Sequence, residues 1–291
     1  MVWTFIKTTL LIGILTGILF AISYFLGLSP IAALGFALFM NLIVYWFSDK
    51  IVLKMGGAHL VTEQEAPRVY EALRRLSAQS GTAMPKVAIV NNPVPNAFAT
   101  GRSPSNATVA VHSGLLSVVD DEELEAVLAH EMTHVRNWDT LTSTIAATVA
   151  GAISYLAQWG WFMGGAYGYG GGSGRSRNQG NIIGVLLMMV LAPLAAMLVQ
   201  LAVSRTREYS ADEGGARLSG NPRALASALQ KIETYSRRSP SKKNPAMSSL
   251  YIINPFHGST LAGLFSTHPS TQKRIARLEQ IAISMGQGSF Y

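Results

Sequence analysis

The N-terminal part of the chain contains the feature that most limits its fold: no charged side chain occurs from Thr8 to Ser48. The segment Gly27-Leu28-Ser29-Pro30 divides this run into two apolar stretches, at about residues 9–27 and 31–47. Each stretch is long enough, or nearly so, to cross a bilayer as a helix. A signal peptide is the alternative, but a second apolar stretch follows at once and no clear cleavage site is present. The run therefore predicts a retained membrane hairpin.

Two further charge-free stretches occupy the middle of the chain. They run from Thr140 to Gly174 and from Asn178 to Ser204, and the second has its apolar core at Ile182–Val203. Pro193 and Gln200 in that core predict a kinked helix, or one that packs on protein rather than on lipid. We expect a second membrane hairpin here, and the alternative is a pair of long buried helices in a soluble core.

The distribution of lysine and arginine predicts the orientation of these stretches. The short loop at 28–30 has no basic residue, whereas basic residues follow each apolar pair, namely Lys50, Lys54, Arg205 and Arg207. Arg175 and Arg177, in the Gly-rich loop within the second pair, oppose this bias. The balance predicts a multi-pass protein of the cell (inner) membrane whose two large polar regions are cytoplasmic.

Composition narrows the classes of partner and ligand. Only 13% of the residues are charged, which is about half the usual share in a soluble domain. The net charge of +7 suits contact with an anionic leaflet, and no basic stripe with interleaved aromatic residues indicates nucleic acid. The chain has no cysteine, so disulfides and thiolate ligands are excluded and any zinc ion must bind histidine and carboxylate.

The strongest chemical motif is His130-Glu131-Met132-Thr133-His134. At a spacing of four residues on a helix, both imidazoles lie on one face and can bind one metal ion, usually zinc. Glu131 then lies beside the ion, where it can take a proton from an activated water, and the usual product is a hydrolysed peptide bond. The alternative is a surface amphipathic helix with two incidental histidines.

The residues around this motif predict its helix. Asp120 and Glu123 have the spacing of a capping box, with an acid in place of serine or threonine. Apolar residues at helical spacing predict a buried stripe made of Leu124, Val127, Leu128 and Val135. Charged residues flank the motif on both sides, which argues against an intramembrane protease with its metal inside the bilayer.

The chain after the last apolar stretch contains candidates for a third ligand. Glu208 and Asp212 are four residues apart, so both face one way on a helix. One of them can bind the metal while the other accepts a hydrogen bond from a ligand histidine. The alternative is two exposed acids on a basic helix.

A small sheet is predicted before the metal-binding helix. A helix at 63–80 precedes three candidate strands, Lys86–Val90, Asn96–Thr100 and Ala107–His112. An edge strand beside a metal site can bind an extended peptide through main-chain hydrogen bonds. A plain core sheet is the alternative.

Motifs along nearly the whole chain resemble the HtpX-type membrane zinc metalloproteases, which are related to the CAAX prenyl proteases. Besides the two apolar pairs and the metal motif, the matching segments are Asn96–Gly101, Ser113–Leu116, Glu125–Glu131, Ser204–Asp212, Thr267–Pro269 and Lys273–Ile275. The resemblance implies one zinc ion per chain, bound by His130, His134 and Glu208. It implies Glu131 as the general base and Asp212 as the hydrogen-bond partner of a ligand.

The resemblance also assigns residues around the substrate. It places His268 near the active site, either as a donor to the developing oxyanion or as a resting-state zinc ligand. It places Arg274 near the active site as well. We expect Arg274 and the predicted strand segment with Asn96, Ala97, Phe98 and Ala99 to bind the substrate. The implied activity is a cytoplasm-facing endopeptidase that hydrolyses misfolded or damaged membrane proteins in protein quality control and the stress response.

We therefore expect a mainly α-helical integral membrane protein, with four apolar helices in two hairpins and an α+β, gluzincin-like catalytic domain with a small β-sheet. The expected parts are a transmembrane hairpin, the first catalytic half, a second membrane or membrane-associated hairpin and the second catalytic half, at 1–50, 51–139, 140–204 and 205–291. Two other functions stay open: a protease for prenylated proteins, which needs a lipidated C-terminal cysteine in its substrate, and a non-catalytic zinc-binding membrane scaffold. The sequence predicts no oligomeric state.

Overall fold

The computed structural model describes residues 2–25, 27–151, 204–238, 250–253 and 269–287. Its helices are α1 (Val2–Phe25), α2 (Pro30–Met55), α3 (Pro67–Ser80), α4 (Ser113–Leu116), α5 (Asp121–Arg136), α6 (139–151, as far as it is described), α7 (Arg205–Ser219), α8 (Pro222–Arg238) and α9 (Thr271–Ser284). The strands are β1 (Ala58–Leu60), β2 (Lys86–Val90), β3 (Ala97–Gly101) and β4 (Ala107–His112). The prediction of a mostly helical chain with a small sheet is confirmed. Most of the second apolar pair, the Gly-rich loop, the basic segment 239–249 and His268 lie outside the described residues.

The four strands form one mixed sheet in the order β1-β2-β4-β3. Strand β4 pairs parallel with β2 and antiparallel with β3, and β1 pairs antiparallel with β2. β2 and β4 have the predicted bounds, and β3 lies one residue later than predicted. Strand β1 was not predicted, because a strand of three residues is too short to show an alternating pattern. In the order β1-β2-β4-β3, strand β3 forms an edge of the sheet, as substrate binding by strand addition would require.

Both faces of the sheet are covered, and alternate residues of β4 pack on different layers. Val109 and Val111 contribute to the main core, which includes residues of α3, α5 and α8. Ala110 faces the other way and packs in a cluster with Val52 of α2 and Ala147 of α6. The C-terminal end of α2 therefore packs against the sheet, although the same helix begins in the apolar hairpin.

Helix α5 begins with the predicted capping box. The Asp120 carboxylate accepts a hydrogen bond from the backbone N–H of Glu123 at 2.9 Å, and the Glu123 carboxylate accepts one from the N–H of Asp120 at 3.0 Å. The buried Glu123 also accepts hydrogen bonds from Ser227 and Lys231 of α8, at 2.7 and 2.6 Å. The predicted apolar stripe of α5 is buried throughout. A cap of this kind contributes about 1 kcal/mol to the stability of the helix, so the start of α5 is well fixed.

Helices α1 and α2 present a wide apolar surface. Within the described residues, α2 is the one helix long and apolar enough to cross a membrane, and Thr8–Gly17 of α1 forms a shorter apolar helix. A signal sequence would pass the same test of length and composition. Large apolar side chains of the two helices are exposed, among them Ile6, Leu10, Ile31, Phe36, Phe39, Leu42 and Trp46. Exposed apolar side chains in this number are typical of a surface that contacts a membrane or another protein.

Candidate metal centre

Three side chains from two helices meet at one point. His130 and His134 project from the same face of α5, and Glu208 projects from the first turn of α7, which packs against it. The Nε2 atom of His130 lies 3.9 Å from one carboxylate oxygen of Glu208, and the Nε2 atom of His134 lies 3.5 Å from the other. All three side chains are buried or nearly so. The structure thus brings together the three predicted ligands.

The spacing of these atoms fits a single metal ion. One ligand atom from each residue can be chosen so that the three lie within 4.8 Å of one another. Ligand atoms about 2.1 Å from one zinc ion in a tetrahedral site are about 3.4 Å apart, so small side-chain rotations would complete the site. Two imidazoles and a carboxylate also form a ligand set of the kind found in catalytic zinc sites.

A buried carboxylate contacts the other nitrogen of His130. Asp212 Oδ1, one turn after Glu208 on α7, lies 3.1 Å from Nδ1, close enough to pair although the contact is not a well-aligned hydrogen bond. The guanidinium of Arg274 holds both oxygens of Asp212, at 2.8 and 2.6 Å, and donates to the carbonyl of Ile252 at 2.7 Å. Because its oxygens are engaged in this way, Asp212 is not placed to bind the metal directly.

Electrostatics keep this buried pair ionised. Burial alone would raise the pKa of the Asp212 carboxyl, but Arg274 and His130 outweigh that effect and hold the pKa below its ordinary value. Burial alone would likewise lower the pKa of Arg274, and the Asp212 carboxylate raises it instead. The Asp212 carboxylate therefore stays charged beside Nδ1 of His130, which favours the tautomer with its hydrogen on Nδ1 and leaves Nε2 facing the candidate metal site.

A second carboxylate contacts His134 in the same manner. Asp139 Oδ2 lies 3.1 Å from the Nδ1 atom of His134, and Arg207 lies 3.4 Å from the other Asp139 oxygen. Burial alone would lower the pKa of His134, but Asp139 and Glu208 outweigh it and raise the pKa to about 9. Neither Asp139 nor Arg207 was predicted as a site residue, although Asp139 lies close to His134 in the chain and Arg207 directly precedes Glu208.

Glu131 lies beside the three ligands without being one of them. Its carboxylate accepts a hydrogen bond at 3.0 Å from the backbone N–H of Ala99, on the outer edge of β3. Burial raises the pKa of Glu131 above its ordinary value, and the nearby histidines and the Ala99 N–H partly offset this rise. A buried carboxylate with a raised pKa, held in place by one fixed hydrogen bond, can both accept and return a proton.

Comparisons with known proteins agree with this geometry. The model of peptidase family M48 matches residues 63–282. The chain belongs to peptidase family M48. It is 53% identical over 288 residues to the "Protease HtpX homolog" of Pyrococcus abyssi, covering 97% of each chain. It is 50% identical over 276 residues to the protein of the same name from Nostoc sp., covering 94% of each. The crystal structure of S. mikatae Ste24p matches with a TM-score of 0.48 at 20% identity, over 92% of this chain and 62% of that one.

The resemblance that the motifs predicted is therefore confirmed, and the chain is a metalloprotease. The M48 match begins shortly before α3 and ends within α9, so it contains the histidines and acids described above. It also includes the whole of 152–203, which lies outside the described residues.

The candidate metal centre lines a cleft with a cavity volume of about 40 Å³. Besides the ligands and Glu131, the cleft is lined by residues of β3, α6 and a short segment at 250–252. These lining residues are Phe98, Ala99, Asp139, Thr140, Ser143, Leu250, Tyr251 and Ile252, and Arg207 of α7 lines the cleft as well. Two of the four residues assigned to substrate binding on β3, Phe98 and Ala99, therefore face the cleft.

Other residues assigned to the substrate have structural partners of their own. The Asn96 side chain donates to the carbonyl of Leu250 at 3.2 Å and accepts from the N–H of Ile252 at 3.0 Å. Arg274 is buried beneath Asp212 and is not among the residues that line the cleft. Asn96 and Arg274 together hold the segment 250–252 against the site. Their role in substrate binding stays a prediction, as does that of Ala97.

Two glycines let α7 approach α5 closely at the ligands. A Cβ atom at Gly215 would lie 2.7 Å from the backbone nitrogen of His130 and 2.8 Å from its Cα. At Gly214 the nearest atom would be the side-chain Cγ2 of Thr133, at 2.5 Å. The short distance between the two helices at His130 therefore depends on the absence of a side chain at Gly215.

Proposed function

We propose that this M48 metalloprotease is a zinc-dependent endopeptidase that uses one zinc ion, held by His130, His134 and Glu208, with Glu131 as its general base. The observation that carries the proposal is the convergence of the three ligand atoms at the bottom of a cleft, with the Glu131 carboxylate alongside. Zinc is the metal best suited to two imidazoles and one carboxylate in a chain without cysteine.

Glu131 can transfer a proton from the attacking water to the leaving amine. A bound zinc ion would polarise the scissile carbonyl and make a water molecule acidic. One oxygen of Glu131 is held by the Ala99 N–H, so the other is free to accept the proton of the attacking water. The raised pKa of Glu131 suits the return of that proton to the leaving amine nitrogen. Residues of β3 beside this carboxylate would align an extended polypeptide across it.

Removal and return of the metal tests this function. Full-length protein in detergent, treated with a chelator, is expected to lose hydrolysis of an unfolded protein and to regain it with one equivalent of zinc. Magnesium should not restore it, since Mg²⁺ prefers oxygen ligands in octahedral geometry. Hydrolysis that persists at full rate after the metal is removed would exclude the proposed mechanism. Zinc binding without any hydrolysis would support the scaffold, and cleavage of prenylated peptides alone would support the prenyl-protein protease.

We propose further that the catalytic cleft faces the cytoplasm close to the membrane surface, and that misfolded or damaged membrane proteins are its substrates in quality control and the stress response. Trp46, near the end of the apolar stretch of α2, lies under the guanidinium of Arg102 at 4.2 Å. Arg102 directly follows β3, whose residues Phe98 and Ala99 line the cleft. Aromatic and basic residues of this kind mark the interface between membrane and water.

The contacts of α6 support a second membrane hairpin at 140–204. The Thr142 hydroxyl bonds to that of Thr8 on α1 at 2.7 Å, and Ile145 and Val149 pack with Leu11 and Leu15. A helix that runs along α1 in this way would lie in the same bilayer. The polar regions 51–139 and 205–291 would then form one catalytic body, since α5 of the first packs against α7 of the second.

Cysteine labelling tests the orientation, because the chain has no cysteine of its own. Lys54, Arg217 and Ser29 are exposed, and each can be replaced singly by cysteine. With a membrane-impermeant reagent, position 29 should label in intact cells, whereas positions 54 and 217 should label only after the membrane is opened. Labelling of position 54 or 217 in intact cells would reverse the proposed orientation.

A further inference from the structure

The contact between His134 and Asp139 has no role in the mechanism given above. Asp139 is the first residue of α6 and its side chain is almost fully buried, with 6% of it exposed. One carboxylate oxygen contacts His134 Nδ1 at 3.1 Å, and the other contacts Arg207 at 3.4 Å. A carboxylate withdrawn from water needs partners of this kind, because an unpaired charge at such a position is costly.

A strained turn brings Asp139 to the histidine. Helix α5 ends at Arg136, and Trp138 adopts a left-handed backbone conformation with φ of 62°. A side chain makes this conformation less favourable than ordinary helix geometry, and strain of this kind is common at functional sites. The turn separates α5 from α6 by only two residues, and Asp139 lies next to His134 on the preceding helix.

The arrangement repeats the one that holds His130. Asp212 contacts the Nδ1 atom of His130 and is held by Arg274, whereas Asp139 contacts the Nδ1 atom of His134 and is held by Arg207. The Nδ1 atom of each histidine therefore contacts a carboxylate, and each carboxylate also contacts an arginine. Arg207 also immediately precedes the ligand Glu208, so the second pair joins the end of α5, the start of α6 and the first turn of α7.

We propose that Asp139 and Arg207 are positioning residues for the metal centre: Asp139 keeps the proton of His134 on Nδ1 and its Nε2 toward the metal, and Arg207 fixes Asp139. This inference rests on the proposed function, since it concerns the same site. A carboxylate behind a ligand histidine usually contributes 10- to 100-fold to metal affinity. Because α6 begins at Asp139, the pair also ties the site to the apolar segment that follows.

Zinc affinity of the full-length protein in detergent provides the test, measured by competition with a chromogenic chelator. Asp139→Ala is expected to weaken zinc binding about 10- to 100-fold and to change the visible spectrum of the cobalt-substituted protein. Asp139→Asn should weaken binding less, since its amide oxygen can still accept the Nδ1 proton. The matched control is Glu213→Gln on α7, which removes a half-exposed acid paired with Arg217 and Arg277 and should change neither quantity.

Arg207 requires a separate measurement because it also lines the cleft. If it acts through Asp139, Arg207→Gln should weaken zinc binding, and the double variant with Asp139→Asn should lose less than the product of the two single effects. A raised KM with unchanged zinc affinity would overturn its positioning role. Should Asp139→Ala fail to fold, the nearly isosteric Asp139→Asn carries the test of Asp139.

The outcomes separate this inference from the proposed function. Wild-type affinity and an unchanged cobalt spectrum in both Asp139 variants would overturn the role of Asp139, while the wild-type protein would still bind zinc and hydrolyse its substrate. A wild-type protein that binds no zinc would overturn the proposed function itself.

Discussion

Glu131→Gln is expected to abolish peptide hydrolysis while zinc stays bound. The change removes the oxygen that accepts the proton, but it keeps the shape of the side chain and an acceptor for the Ala99 N–H. General-base catalysis by a positioned side chain is worth about 10²- to 10⁴-fold, so the rate should fall by that factor. Initial rates on an unfolded protein, measured beside the zinc content of the same sample, provide the check.

The ligand variant Glu208→Ala gives the matching contrast. It removes one of the three ligand atoms, so zinc content and hydrolysis should fall together. A wild-type rate in Glu131→Gln would show that another group accepts the proton. Loss of zinc from Glu131→Gln would instead show that Glu131 is a ligand, and full zinc occupancy in Glu208→Ala would move the ligand role to another residue.

Local geometry explains how much of this site the sequence could predict. The spacing of His130 and His134 fixes their common face, because a helix repeats every 3.6 residues. The capping box at Asp120 is equally local and has the predicted hydrogen bonds. Glu208 and Asp212 were also predicted to share a face, but spacing left open which of them binds the metal. The structure separates them, since Arg274 occupies both oxygens of Asp212.

The remaining contacts depend on how distant segments meet. Arg274 lies 62 residues after Asp212 in the chain, and no periodicity within either helix indicates that they touch. Asp139 is near His134 in sequence, but the left-handed turn at Trp138 that directs it back has no sequence signal, because tryptophan is not a residue typical of that conformation. Contacts of this kind become visible only when the packing of α5, α6, α7 and α9 is known.

Hydropathy alone did not predict where α2 ends. The apolar run of α2 predicts a membrane helix that ends near residue 47, yet α2 continues to Met55. Its last turns pack through Val52 on the sheet, next to Phe98 of the cleft. Hydropathy alone cannot distinguish an apolar face toward lipid from one toward protein. The contact with the sheet shows that the last turns of α2 face protein. A rigid helix therefore connects the apolar hairpin directly to the wall of the cleft.

Gly215→Ala is expected to disable the site without changing any residue that touches the metal. The added methyl group would lie 2.7 and 2.8 Å from backbone atoms of His130, which cannot yield unless α5 and α7 move apart. Because α7 carries Glu208 and Asp212, that movement would separate them from the histidines. Overpacking of this kind costs about 1–3 kcal/mol of stability. Zinc affinity and hydrolysis should both fall by at least about 10-fold, since the ligand Glu208 and the hydrogen-bond partner Asp212 both lose their positions relative to the histidines.

Two other glycines give graded controls for this effect. Gly214→Ala would place its methyl group against the side chain of Thr133, which can shift more easily than backbone, so a smaller loss is expected. Gly35→Ala on α2 meets nothing within 4 Å and should leave zinc binding and hydrolysis unchanged, because alanine suits a helix better than glycine. Measured zinc affinity should therefore decrease in the order Gly35→Ala, Gly214→Ala, Gly215→Ala. Equal affinities in all three would mean that the close approach of α7 to His130 does not hold the ligands together.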